Sequence, residues 1–247
     1  MNKAELLFHI ARQEGLEFVF TSGNALCYPM HTHISVYTIT IVRRGIVRLI
    51  RRNSTNIYPA GSVYIVAPHE AHSPHYTDRF NIVSLCVDKN RFSEMRQSCL
   101  VTSCLKHARL LMERQLLHAD DVPGLLAGID TIYEATATMG NPGITPPKIL
   151  QEWERWNAGH VPTEMELPLS RFHFIHKFKQ ETGLTPHQYL VQSRMRKAKK
   201  LLTSGSSIAD AAIAAGFCDQ SHLNRWFNRN IGVTPQTYRQ SCFMLDI

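Results

Sequence analysis

Residues 4–90 carry short apolar runs rich in β-branched side chains, separated by turn formers. Val36–Val42 predicts one strand. Arg43-Arg44-Gly45 interrupts it and Ile46–Ile50 predicts a second, so the pair reads as a hairpin. Pro59-Ala60-Gly61 predicts a turn before a strand over 62–67, which Pro68 ends. Asn81–Val87 predicts one more. Short strands at this spacing favour a barrel or a sandwich.

The rhythm then turns helical over residues 98–139. Leu105, Ala108, Met112 and Leu116 fall on one stripe, with Arg109 and Arg114 off it. Such a stripe covers a core or forms a dimer face, and periodicity alone does not choose. Val122–Met139 is a second helical stretch. The run Gly140-Asn141-Pro142-Gly143-Ile144-Thr145-Pro146-Pro147 stops regular structure, which puts a domain boundary there and divides the chain into residues 1–146 and 147–247.

A self-match follows the boundary. At an offset of 49 residues, Phe178 to Tyr189 aligns with Phe227 to Tyr238, with Phe, Gly, Thr, Pro and Tyr recurring at equivalent positions. Two copies of one supersecondary unit are implied. Gly183 and Gly232 stand where a helix ends in a left-handed residue. Thr185-Pro186 and Thr234-Pro235 read as an N-cap followed by proline at the first helical position. In the second copy Ser207-Ile208-Ala209-Asp210 is a capping box, and Ile208, Ala211, Ala212 and Ala215 make a narrow apolar face. Gly216 closes that helix, and Asp219 caps another over 220–230. Two helices joined by a short glycine-containing turn follow the helix-turn-helix plan. Leu223 and Phe227 face inward, while Gln220, Ser221, Asn224 and Arg225 face outward near the helix start, where base edges are reached. Gln and Asn suit adenine, and Arg suits guanine.

Charge sharpens this reading. The formal net charge is +7. Residues 1–166 hold 16 Lys+Arg and 16 Asp+Glu, whereas residues 167–247 hold 11 against 4, so the last third carries the whole excess. A polyanion partner fits that asymmetry. No apolar run reaches the roughly 18 residues of a membrane helix, and the N-terminus has no basic segment followed by a long apolar one. The six cysteines form no C-x-x-C pair. Reduced thiols in a cytoplasmic protein are the simplest reading; a Cys99–Cys104 redox switch is the lesser one.

The run from Arg194 to Leu202, Ile208 to Ala212, Ala215 to Phe227, and Gly232-Val233-Thr234-Pro235 resembles the DNA-binding domain of the AraC/XylS family of bacterial transcription regulators, over roughly residues 148–240. The resemblance implies two helix-turn-helix units flanking a long linker helix, here Pro186 to Ser204, basic on its exposed side. The reading helices would enter successive major grooves, about 34 Å apart. Duplex promoter DNA, a small-molecule effector, a second copy of the chain and RNA polymerase are the implied partners, with no membrane role.

The first copy departs from the pattern. Counting back 49 residues from the small-residue helix gives Gly159, Pro162, Thr163 and Leu167, so that helix is missing, and Pro162 and Pro168 bracket a segment of a turn or two. The reading helix survives: Ser170 caps it, and Arg171, His173, Ile175 and His176 look outward or toward the backbone. His176 stands where Arg225 stands in copy two, so copy two is expected to anchor DNA binding.

The family resemblance also implies a cupin-like, effector-binding and dimerising barrel in the first part, and hence an α+β protein: barrel with packed helices, then an all-α domain. Met30-His31-Thr32-His33, Gly45, Gly61 and Pro68-His69-Glu70-Ala71-His72 are similar to the two cupin motifs. His31 and His33 at i, i+2 point to one face, and His72 from another strand end would meet them; His69 and His75 are the alternates. The position of the cupin carboxylate ligand is Thr38. A metal-free pocket, in which His31, His33 and His72 hydrogen-bond an effector, is therefore the first reading. A metal on the same three is the second, and no cofactor is assigned. Arg43, Arg44, Arg48, Arg51 and Arg52 read as a solvated edge that deters strand pairing, or as a site for an anion. An effector-responsive DNA-binding regulator, not an enzyme, is the expectation; the alternative is a cupin-type metal-dependent enzyme with a basic appendage.

Overall fold

The computed structural model describes residues 7–13, 15–139, 146–156 and 170–244. Its first part is a bent, mostly antiparallel sheet. Strands β1 (Leu7–Gln13), β2 (Leu16–Cys27), β3 (Val36–Arg51), β4 (Thr55–Pro59), β5 (Val63–Val66) and β6 (His72–Asp88) lie in the order β4-β3-β6-β2-β1, with β5 also on β3. Helices α1 (Lys89–Glu94), α2 (Gln97–Glu113) and α3 (Val122–Met139) cover one face. Helices α4 (Lys148–Trp156), α5 (Arg171–Thr182), α6 (Pro186–Thr203), α7 (Ile208–Ala215), α8 (Gln220–Ile231) and α9 (Pro235–Ser241) follow. A sheet-rich first part and a helical second part make the α+β class that the sequence predicts.

The predicted hairpin at Arg43-Arg44-Gly45 is one continuous strand. β3 runs through these residues and pairs with β6 on both sides of them, with register shifts at Val42/Arg44 and Arg44/Ile46. The partner strand is irregular at the same level, where β2 and β6 also slip between Asn24 and Leu26, and Asp78 has φ of 52°. Such bulges bend and twist paired strands together. Gly45, at φ of 85°, is required: a Cβ there would lie 2.8 Å from the Arg79 carbonyl oxygen. Turn chemistry thus bends the sheet instead of reversing it, and the reversal into β4 comes after Arg51.

The helical stripe is rotated from its predicted position. The buried face of α2 is Leu100, Cys104, His107, Ala108 and Leu111, and Leu105 is exposed. Met112 and Leu116 pack at the margin of the core. Cys99 is exposed while Cys104 is buried in that core, with its thiol pushed up to about 12 by burial.

The arginine cluster does not stay together. Arg43 is largely buried, donating from Nε to both carboxylate oxygens of Asp121 at 3.1 Å and from its terminal nitrogen to the Leu116 carbonyl at 3.0 Å. Arg51 pairs with Glu70 and donates to the Ile65 carbonyl at 2.8 Å. These two tie loops to the sheet, so the solvated-edge reading fails for them. Arg44 instead lines, with Arg79, a depression of about 290 Å³ at the bend.

The helical part is seated on the other side of the sheet. Ile10 and Val19 join a core built from α6, α7, α8 and α9. Met30 and Ile34 pack on Ile149, Leu150, Trp153, Phe174 and Phe178 of α4 and α5. The short strand β7 (Cys242–Met244) runs parallel to β1 and extends the sheet. No helix among the described residues is long and apolar enough to cross a membrane.

Candidate nucleic-acid interface and buried histidine cluster

The second helix-turn-helix unit forms as its capping residues dictate. Ser207 accepts from the Asp210 amide at 3.1 Å and starts α7; Gly216, at φ of 89°, ends it. Asp219 accepts from the His222 amide at 2.7 Å and starts α8, which Gly232 closes. Ala211, Ala212 and Ala215 are buried, so α7 lies close beneath its neighbours, and Leu223 and Phe227 anchor α8 inside. Gln220, Ser221 and Arg225 are exposed, and Asn224 is half-buried. His222 is turned back: its Nε2 accepts from the Trp226 indole at 2.8 Å.

In the first unit, Ser170 caps α5 through the His173 amide at 3.4 Å. His173 and His176 are exposed. Arg171 opens the helix, and its side chain lies outside the described residues. The segment around Gly159, Pro162 and Thr163, read as having lost its helix, also lies outside them. α4 supports α5: Trp153 stacks on Phe174 at 5.9 Å between ring centroids and meets Phe178 edge-on at 5.4 Å. Sequence reasoning missed Phe172, which is 88% exposed on the first turn of α5. Its phase against buried Phe174 and Phe178 was the available signal.

α6 spans the two units with Thr185 and Gln188 forming a reciprocal capping box. Its exposed side is basic, as expected. Lys197 and Lys200 are exposed, but Arg196 and Lys199 turn toward the sheet, where they line a cavity of about 130 Å³ with Gln192 and Met195. Burial lowers the pKa of Lys199. Asn230 and Ile231 at the end of α8 close one side, and residues 31–36 form the opposite wall.

The three predicted histidines come together, His31 and His33 on the wall of this cavity and His72 against them. Ring centroids are 4.2 Å apart for His31–His72, 5.1 Å for His33–His72 and 5.3 Å for His31–His33. A two-residue bridge holds the backbones, with the His31 amide on the His72 carbonyl and the reverse, both at 2.9 Å. Desolvation, then the neighbouring His72, depresses His31 to about 3; desolvation depresses His72 to about 4 and holds His33 well below the ordinary imidazole value. All three are neutral at pH 7. His69 and His75 stay out of the cluster: His69 has φ of 62°, and His75 is bonded to Ser73 and Arg48. Thr38, at the sequence position of the cupin carboxylate, pairs instead with the Cys86 sulfur at 3.7 Å.

Comparison with known proteins bears on both halves. Residues 165–241 match a helix-turn-helix domain. The transcriptional activators RhaS of Shigella boydii and of Escherichia coli are each 38% identical over 86 residues, which is 34% of this chain and 30% of theirs. The match therefore spans less than a third of those relatives. ToxT of Vibrio cholerae has a similar fold over 92% of this chain and 99% of its own, with 13% identity and a TM-score of 0.54. An apo form of a single-substitution ToxT variant, also from Vibrio cholerae, gives 94% and 99%, 12% identity and a TM-score of 0.58.

Proposed function

We propose that the chain, whose residues 165–241 match a helix-turn-helix domain, is an AraC/XylS-type regulator: a sequence-specific DNA-binding transcription regulator responsive to a small-molecule effector. The observation that carries this is α8: an amphipathic helix, capped at both ends, with Gln220, Ser221 and Arg225 exposed on its first turns and Leu223 and Phe227 buried. Residues 147–247 bind promoter DNA; Ser170, Arg171, His173 and His176 serve the first unit, and Gln220, Ser221, Asn224 and Arg225 the second. Residues 1–146 sense the effector and dimerise. His31, His33 and His72 are the effector-side groups, because His31 and His33, with His72 against them, line a cavity shared with α6. RNA polymerase is the partner downstream, and the cytoplasm is the compartment such a regulator works in.

The cupin-type enzyme reading is weaker, because Thr38 supplies no carboxylate to the histidines. Selection of bound sequences from a random duplex pool tests the proposal. Enriched half-sites about one helical turn apart, with salt-dependent retention, are expected. Retention without sequence preference would overturn it.

A further inference from the structure

Two irregularities of the sheet meet where β3, β6 and β2 lie side by side. β3 slips on β6 on both sides of Arg44, and β2 slips on β6 between Asn24 and Leu26. Gly45 lets the strands approach closely, since a Cβ there would lie 2.8 Å from the Arg79 carbonyl oxygen. The register then makes two short polar rows. Arg44 stands opposite Asn81, and Asn81 opposite Ser22; two residues along, Arg79 stands opposite Asn24. All five line the depression of about 290 Å³ at the bend. Bulges re-aim side chains in this way and gather beside binding sites.

The patch is unbalanced in charge. Arg43 has Asp121, Arg51 has Glu70, and Arg48 lies 3.2 Å from His75 Nδ1. Arg44 and Arg79 are exposed, and among the described residues no acidic group pairs with either, Asp78 beside Arg79 included. Like charges brought together across strands destabilise a sheet. A guanidinium offers two parallel N–H donors to a carboxylate or a phosphate, so two of them match a dianion. Ser22, Asn24 and Asn81 add neutral donors around the same depression. Its volume stands at the lower end of the roughly 300–1,000 Å³ of ligand clefts, which fits a small molecule.

We propose that Arg44 and Arg79 form a binding site for a small dianion, a phosphate, a phosphomonoester or a dicarboxylate, with Ser22, Asn24 and Asn81 donating to its remaining oxygens. The site shares no lining residue with the cavity beside α6. It is therefore separate from the effector cavity, and it stands whether or not the chain reads DNA.

The test is isothermal titration of the full chain with inorganic phosphate and, separately, with malonate, at an ionic strength held constant with chloride. Saturable binding of one ion per chain is expected for at least one of the two, and the tighter one assigns the phosphate or the dicarboxylate class. Arg44→Gln and Arg79→Gln should each weaken binding roughly tenfold, and the double variant should abolish it. Arg44→Lys, which keeps the charge without the fork, should fall between. Arg52→Gln, exposed and outside the depression, should leave it unchanged. Thermal midpoints read the site with a change of sign. In chloride alone Arg44→Gln should melt no lower than the native chain, because repulsion is relieved, while the rise that the bound anion gives the native chain should vanish. Absence of saturable binding of either anion overturns the site. So does binding that survives the double substitution, which would place the anion on the basic residues of 167–247. Lower midpoints in chloride with anion affinity intact would show a structural role instead and would also overturn it. Should a glutamine variant fail to fold, Arg44→Lys and Arg79→Lys decide: anion affinity equal to that of the native chain in both sinks the proposal.

Discussion

The side-chain oxygen of Gln192 on α6 accepts a hydrogen bond from the Thr32 amide at 3.1 Å, across 160 residues of sequence. Its amide nitrogen donates to the Met30 carbonyl at 3.1 Å. One side chain of the linker helix thus satisfies two backbone groups of the segment that presents His31 and His33. Gln192→Ala leaves both groups without their protein partner at the seam. A loss of about 1–3 kcal/mol is expected, read as a lower urea midpoint. Gln192→Glu should cost at least as much, since a carboxylate cannot donate to Met30. A midpoint unchanged in both variants would show that the clasp does not hold the seam.

A second contact at the seam separates strain from crowding. Gly183 and Gly205 both have left-handed backbones, at φ of 77° and 94°. A Cβ on Gly183 would lie 2.5 Å from the Ala71 Cβ, whereas one on Gly205 meets nothing within 4 Å. Alanine at Gly205 should cost about 1 kcal/mol, the left-handed penalty alone. Alanine at Gly183 should cost a further ~1–3 kcal/mol for overpacking. Equal losses in parallel denaturant titrations would mean that the sheet and α5 give way without cost.

Much of this arrangement is legible in the sequence because it is local. Caps at Ser170, Thr185, Ser207, Asp219 and Thr234 all form as their spacing predicts, each accepting an amide two or three residues into its helix. The histidine trio was legible because a two-residue period puts His31 and His33 on one face. What escaped was non-local. Gly45 looks like a turn but is a bend, since its partner β6 slips with it. Lys199 and Arg196 carry no local mark that sets them apart from the other basic residues of α6. Only the seat of α6 on the sheet turns them toward the histidines. Arg43 reads as edge charge, and its partner Asp121 is 78 residues away.

The two reading helices should contribute unequally to DNA affinity. Arg225 on α8 and His176 on α5 are both exposed at equivalent places in the repeat. Arginine carries a fixed charge and a planar fork for guanine or phosphate, and an imidazole has neither. In gel-shift titrations on the selected site, Arg225→Ala should cost about 1–3 kcal/mol. His176→Ala should cost less. The reverse order would move the stronger grip to the first unit.

The buried imidazoles make stability depend on pH in chelator-treated protein. In the unfolded chain histidine titrates near 6.5. In the folded chain burial lowers His31 to about 3, His72 to about 4, and His33 well below 6.5. The charged groups facing them are Lys199 and Arg196 from α6 and Arg51 from β3, which add to the depression. Below pH 6.5 the unfolded chain therefore binds more protons than the folded one. Stability is fully present above that pH and is lost as pH falls toward about 4. For His72 alone the shift corresponds to roughly 3 kcal/mol, at about 1.4 kcal/mol per pKa unit. Urea midpoints between pH 7.5 and 5 should fall steeply for the native sequence and less steeply for His72→Gln, which keeps polarity without a titrating ring. Parallel slopes in the two proteins would mean that His72 is already hydrated in the fold and does not carry this dependence.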